Sequence, residues 1–158
     1  MSSRRGGDPE AFRFPIGLRR SARPDFSFSG VKTALYYLLR DMPQPERIRR
    51  AADVAASYRE AIVTALVSKA VRAAQQEGVR TLAVAGGVAA NSLLRRRLVE
   101  TGRAAGLHVV VPPFEYCTDN AAMIGAAAFS GPMLPYPHYL GVDASASLPL
   151  GRWSADDV

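Results

Sequence analysis

The sequence has 158 residues, the length of one ordinary domain, with 48% apolar and 22% charged residues. This balance is typical of a globular chain rather than a disordered one. A single cysteine excludes an internal disulfide framework and a cysteine-built zinc site. No apolar run approaches the roughly 20 residues of a membrane span, and residues 1–7 lack the apolar core of a secretion signal. We therefore expect a soluble, cytoplasmic protein that has no membrane partner.

The positive charge of the chain is concentrated near its beginning. The net charge is +6, and residues 1–50 hold 11 Lys and Arg against 5 Asp and Glu, whereas residues 51–158 hold 9 against 9. Of the 20 basic residues, 18 are arginine, whose planar guanidinium suits phosphate better than the lysine ammonium does. This pattern predicts either a surface for nucleic acid or an acidic partner, or a merely solvated arm.

The first quarter of the chain predicts an extended arm followed by a helix. Residues 1–24 are rich in Gly, Pro and Arg and show no period, with one short strand expected at Phe12–Phe14. The run Val31–Arg40 has helical spacing of its apolar residues. Pro43 and Pro45 are expected to stop this helix, because proline disrupts a helix interior.

The remainder of the chain alternates helices and strands, which is typical of an α/β fold. Its predicted elements are a helix over Ile48–Glu77, a strand over Thr81–Ala85, a helix over Leu93–Ala105, a strand over Leu107–Val111, and a helix over Asp119–Phe129 capped by Thr118. In the helix over Leu93–Ala105, Leu94 and Leu98 are expected to point inward and Arg95–Arg97 mainly outward. Both strands are short apolar runs of the kind that form buried parallel sheets. Two strands are too few for a complete parallel sheet, so the chain is expected to be part of a domain.

Two glycines separate the first predicted strand from the helix that follows, in the segment Val84–Ser92. Glycine allows the backbone to approach a ligand closely, and a helix N-terminus presents N–H groups to a phosphate or carboxylate. The pattern matches neither the P-loop nor the Rossmann fingerprint. Gly86 and Gly87 therefore predict either a nucleotide-binding turn or a tight turn without a ligand, and Asn91 is expected to cap the helix.

The segment Cys117–Asn120 follows the second predicted strand. Because ligands of α/β sheets collect beyond the carboxyl ends of the strands, this segment is expected beside Gly86 and Gly87. Asp119 is either an oxygen ligand for a metal ion or a favourable charge in the first turn of a helix. Cys117 is expected to be packed rather than nucleophilic. The two histidines form no HxxxH or HExxH pair, so this chain alone predicts no complete metal site.

Four segments of the sequence carry a joint signal. They are, in chain order, Asp25–Ala34, Ala52–Ala61, Val84–Asn91 and Cys117–Ile124. Together they resemble the TsaD family of tRNA threonylcarbamoyladenosine transferases. The resemblance implies a partial second lobe of an actin-like ATPase fold, a βαβ unit with several helices, whose early strands and first lobe are missing. We accordingly divide the chain into a basic arm (1–24), a partial C-terminal lobe (25–130) and a Pro-rich tail (131–158).

The resemblance also implies a chemistry. The family moves the threonylcarbamoyl group of threonylcarbamoyl-AMP onto the adenosine next to the anticodon in tRNAs that read codons starting with A. It uses one iron or zinc ion and partner subunits of the TsaB and TsaE type. By correspondence, Asp119 is a metal ligand, Asn91 contacts the adenylate, and Gly86 and Gly87 form the adjoining nucleotide turn.

The same correspondence predicts that this chain is inactive alone. The family's histidine ligands belong to the missing half, and no catalytic residue is assigned to the present half. The alternative is a non-catalytic fragment that binds nucleotide or tRNA, or that acts as a scaffold. The sequence leaves open whether Met1 is the natural start.

Overall fold

The computed structural model describes residues 6–18, 21, 23–131, 133–141 and 143. They belong to two compact units, one within residues 1–118 and the other within residues 119–158. The regular elements are α1 (Ser29–Asp41), α2 (Gln44–Gln76), β1 (Thr81–Ala83), α3 (Ser92–Ala104), β2 (His108–Val110) and α4 (Ala121–Ser130), with 3₁₀ turns at Gly87–Ala90, Phe114–Tyr116 and His138–Gly141. Within the described ranges, no helix is both long and apolar enough to cross a membrane.

The two strands form a small parallel sheet in the first unit. Thr81 lies opposite His108 and Ala83 opposite Val110, and α3 connects the two strands. The described residues thus form several helices and one βαβ unit with a small parallel sheet, an arrangement compatible with a partial α/β domain. The strands were predicted to be buried, but Thr81 and Ala83 are exposed while Leu82 is half-buried. Leu82 and Val109 pack against the helical core, whereas the residues that alternate with them along both strands are exposed, so burial follows one side of the pleat.

The core of the first unit lies between α2, α3 and the sheet. Its buried members are Val63, Val67, Val71, Ala74, Leu93, Leu94, Leu98 and Leu107. Burial of each valine or leucine side chain among them contributes about 1.5–3 kcal/mol. At Gly102, α3 approaches β2 so closely that an added Cβ would lie 2.3 Å from Val109 Cγ2. This packing fixes the positions at which the loops leave the strands.

The described residues of the N-terminal arm (6–18, 21, 23 and 24) lie along α2 and include no strand. The Ser57 hydroxyl accepts a hydrogen bond from the Phe12 N–H (3.1 Å) and donates one to the Asp8 carbonyl (3.0 Å). The strand predicted at Phe12–Phe14 is wrong, because the arm's neighbour is a helix and the Phe12 N–H bonds to a side chain. At Gly7 the arm is so close to α2 that a Cβ would meet the Ala52 carbonyl at 1.9 Å.

A second anchor of the arm is Lys69, which is 3% exposed. Its ammonium donates to the backbone carbonyls of Arg23 and Asp25. Burying Lys69 and Ser57 within α2 is possible because the arm supplies their hydrogen-bond partners. The covered surface of α2 therefore includes polar contacts with the N-terminal segment as well as the apolar core.

The boundary between α1 and α2 differs from the prediction in one respect. The first helix ends at Asp41, before Pro43, as expected. Pro45, however, lies in the first turn of α2, which begins at Gln44 rather than at Ile48. The first turn tolerates proline because its N–H groups have no partner within the helix.

Candidate functional site

The loops that follow β1 and β2 lie beside each other in the first unit. The Val84 N–H donates to the Val110 carbonyl at 3.0 Å and extends the strand pairing. Beyond this point, a Cβ added to Gly87 would be 4.0 Å from the Cys117 carbonyl oxygen. The expected placement of the glycine turn beside the segment that begins at Cys117 is confirmed for these two residues.

Gly86 gives the first loop its shape. Its φ of +82° lies in a region that side chains rarely allow, and nothing lies within 4 Å of a Cβ built there. The Gly86 carbonyl accepts a hydrogen bond from the Ala89 N–H at 2.9 Å, which closes the turn Gly87–Ala90. This hydrogen bond fixes the backbone of the turn, while the space beside the Gly86 Cα is open. The geometry therefore leaves room for a ligand.

Asn91 caps α3, as the sequence predicts. Its Oδ1 accepts hydrogen bonds from the N–H groups of Leu93 (3.0 Å) and Leu94 (3.1 Å). These are among the donors that a helix N-terminus would otherwise offer to a phosphate. Recognition of an anion here must therefore rely on other donors, such as backbone N–H groups of the glycine turn or the amide nitrogen of Asn91.

Arg95 is the residue that sequence reasoning missed. Its Nη1 donates to the Ala89 carbonyl at 2.9 Å and lies 3.4 Å from Cys117 Sγ, and its Nη2 donates to the Pro112 carbonyl. The guanidinium carbon lies 4.2 Å from the centroid of the Phe114 ring. One side chain thereby contacts both loops that follow the strands.

The three consecutive arginines of α3 were expected to point mainly outward, and this is wrong for Arg95. Arg96 is exposed, and Arg97 forms an ion pair with Glu60 at 2.6 Å, but Arg95 is half-buried. Arg95 precedes Leu98 and Gly102 by three and seven residues, so helical spacing puts it on their inward face. That spacing was the available signal.

Cys117 is packed, as predicted. It is 2% exposed, and its thiol donates to the Pro113 carbonyl at 3.5 Å. Because Arg95 and this carbonyl surround the sulfur, Cys117 helps to shape the second loop rather than presenting a nucleophile.

The start of α4, in the second unit, differs from the prediction. The helix begins at Ala121 rather than at Asp119, and Asn120 rather than Thr118 is its N-cap. The Asn120 side chain accepts a hydrogen bond from the Met123 N–H at 2.8 Å. Asp119 is exposed and precedes this helix.

Comparison with known sequences decides the family. A profile of TsaD, described as tRNA N6-adenosine threonylcarbamoyltransferase, matches residues 2–126. The chain belongs to the TsaD family. The match includes every residue placed above in the glycine turn, the Arg95 contacts and the loop that ends at Cys117.

Individual TsaD relatives agree with this assignment. Proteins named tRNA N6-adenosine threonylcarbamoyltransferase are 44% identical over 147 residues in Clostridium botulinum strain 657, 50% over 121 in Synechococcus sp. JA-3-3Ab and 52% over 124 in Anaeromyxobacter dehalogenans. These alignments cover 92%, 77% and 77% of this chain, but only 43%, 33% and 36% of the relatives. The chain thus spans less than half the length of the TsaD proteins that it matches.

The metal ion implied by the TsaD resemblance is not accommodated by the described residues alone. Among them, no group of three or more His, Cys, Asp or Glu side chains is placed to hold a metal ion. Asp119 has the carboxylate chemistry of a ligand and is exposed. The described part of the chain therefore offers at most one ligand at this position rather than a self-contained metal site.

Proposed function

We propose that this chain forms part of a tRNA N6-adenosine threonylcarbamoyltransferase, as a partial second lobe of an actin-like ATPase fold in the cytoplasm. The observation that carries the proposal is the TsaD match over residues 2–126, which includes an open glycine turn beside a capped helix. Because the chain spans at most 43% of the relatives described above, activity requires the rest of a TsaD fold.

The proposed role of the first unit is to hold the adenylate of threonylcarbamoyl-AMP. The backbone of Gly86 and Gly87 would face the nucleotide, since nothing lies within 4 Å of a Cβ on Gly86. Asn91 Oδ1 is committed to the helix cap, so its Nδ2 is the group proposed to donate to the adenylate. Binding on a turn anchored to the core would fix the nucleotide for reaction.

In the proposed reaction, the exocyclic amine of the tRNA adenosine attacks the threonylcarbamoyl carbonyl carbon. A carbon–nitrogen bond forms, the carbon–oxygen bond to the phosphate breaks, AMP leaves, and the amine loses a proton. The contribution of this chain is to bind and orient the adenylate, and no acid or base is assigned to it. An iron or zinc ion would supply Lewis acidity, with Asp119 as one ligand and the others from outside the described residues.

The proposed partners are tRNA and subunits of the TsaB and TsaE type. The excess of arginine within residues 1–50 favours contact with the phosphate backbone. The test is to coexpress this chain with the complementary part of the Anaeromyxobacter dehalogenans relative, add the partner subunits, and measure threonylcarbamoyladenosine in tRNA. Modified tRNA supports the proposal. Its absence, when the intact relative is active under the same conditions, refutes it.

The second candidate is a tRNA-binding fragment without catalysis, favoured by the same excess of positive charge. It predicts that the chain alone binds tRNA and that the affinity falls steeply as salt rises. Replacing Arg4, Arg5 and Arg13 by Gln should weaken this binding. Salt-independent affinity, or no binding at low salt, would exclude this candidate.

A further inference from the structure

The two loops beyond the strands are joined by the side chain of Arg95. Its Nη1 donates to the Ala89 carbonyl, which belongs to the loop after β1, at 2.9 Å. Its Nη2 donates to the Pro112 carbonyl, which belongs to the loop after β2. Because the two nitrogens are held in one rigid plane, their acceptors are held at a fixed separation.

The plane of the guanidinium is itself fixed. The Phe114 ring lies 4.2 Å from the guanidinium carbon, and Cys117 Sγ lies 3.4 Å from Nη1. Partial burial of Arg95 reduces competition from water for these contacts. Lysine could satisfy one carbonyl but has neither a second donor in the same plane nor a flat surface for the ring.

We propose that Arg95 is a positioning residue for the adenylate site, an inference that rests on the proposed function. The hydrogen bonds of Arg95 to the Ala89 and Pro112 carbonyls form a bridge between the two loops. This bridge fixes Ala89, and the hydrogen bond from the Ala89 N–H to the Gly86 carbonyl (2.9 Å) transmits this position to the glycine turn. Arg95 acts on the nucleotide through Gly86 and Gly87 and does not touch it. The site is therefore built from both loops, although only the first carries the proposed nucleotide contacts.

The bridge is tested on the chain itself by Arg95→Lys, with Arg96→Lys as the matched control. Arg96 lies on the same helix but is exposed, in a loose pair with Glu100 at 3.9 Å. We expect Arg95→Lys to raise both amide exchange over residues 86–90 and Cys117 modification by a thiol reagent at least about tenfold, since charge-assisted hydrogen bonds are lost. Arg96→Lys should leave both rates unchanged. Wild-type rates in Arg95→Lys would overturn the bridge.

The positioning role is tested in the complex with the complementary TsaD part. Arg95→Lys should raise KM for threonylcarbamoyl-AMP about tenfold with little change in kcat, because the turn binds substrate and transition state alike. A purely structural role would instead lower the melting temperature and the active fraction and leave KM unchanged. That result would overturn the inference.

Two further outcomes keep this test decisive. If Arg95→Lys does not fold, Phe114→Leu at a 59% exposed position should raise the same KM to a smaller extent, and an unchanged KM would contradict the inference. An inactive wild-type complex would refute the proposed function, and the positioning role with it. In that case the exchange and thiol rates still decide whether Arg95 joins the loops.

Discussion

At the scale of single residues, the side-chain oxygen of Asn91 has an observed role, and its side-chain nitrogen has a proposed one. The oxygen caps α3 through the N–H groups of Leu93 and Leu94, and this contact is part of the structure. The nitrogen is the proposed contact to the adenylate. Stability and transferase activity should therefore respond differently to the choice of replacement.

Asn91→Ala should lower the free energy of unfolding by about 1 kcal/mol, because the cap is lost. Asn91→Asp keeps the acceptor and adds a negative charge that a helix N-terminus favours, so its stability should match the wild type. Urea unfolding of the chain measures both changes. Equal destabilisation by the two variants would contradict the assigned cap.

Arg40 and Asp41 form an exposed ion pair at the end of α1, with 2.7 Å between Nε and Oδ1. The hydrogen bond from Arg40 lowers the pKa of Asp41 below its ordinary value. The pair's contribution to stability is therefore present above the ordinary Asp pKa and is lost as the pH falls through the lowered one. In Arg40→Gln, the Asp41 carboxyl should titrate at higher pH by NMR. An unmoved midpoint would contradict this contact.

At the scale of elements, the close approach of α3 to β2 depends on Gly102. Gly102→Ala would place a Cβ 2.3 Å from Val109 Cγ2 in the packed interior. We expect a loss of about 1–3 kcal/mol in unfolding free energy, measured by urea unfolding. Gly125→Ala is the control, because nothing lies within 4 Å of its Cβ and alanine is favoured in a helix by up to about 1 kcal/mol. A Gly102→Ala chain as stable as the wild type would contradict this packing.

Sequence periodicity predicts the elements whose packing is regular. It correctly places Leu94 and Leu98 inward on α3, because apolar spacing along a helix reflects burial directly. It also identifies both parallel strands from their short apolar runs, although their burial is overestimated. It wrongly predicts a strand at Phe12–Phe14, and it does not predict the burial of Lys69. Each of these depends on a partner more than 40 residues away in the chain, which local pattern does not contain.

The residues of the candidate site also divide into those that the sequence identifies and one that it does not. Gly86 and Asn91 stand out in the sequence, because a positive φ and a helix cap demand particular residue types, and Gly87 stands out beside Gly86. Arg95 does not, since an arginine within a run of three is typical of a solvated helix face. Its importance depends on two carbonyls that come together only when both strands have paired.

At the scale of the whole molecule, a chain with the length of one domain matches less than half of the TsaD relatives described above. The described sheet has two strands, with Thr81, Ala83 and Val110 exposed, and the TsaD relatives compared above are more than twice as long as the matched region. Under the proposed function, further parts of a TsaD fold would cover this sheet and complete the transferase.

The most direct test is mass spectrometry of tRNA nucleosides after incubation of the reconstituted complex with threonylcarbamoyl-AMP. We expect threonylcarbamoyladenosine with the wild-type chain and a loss of at least about tenfold in kcat/KM with Asn91→Asp, since a hydrogen bond to a charged adenylate is removed. Modification by the wild type that persists unchanged in Asn91→Asp would contradict the proposed site. An unmodified tRNA beside an active intact relative would contradict the proposed function itself.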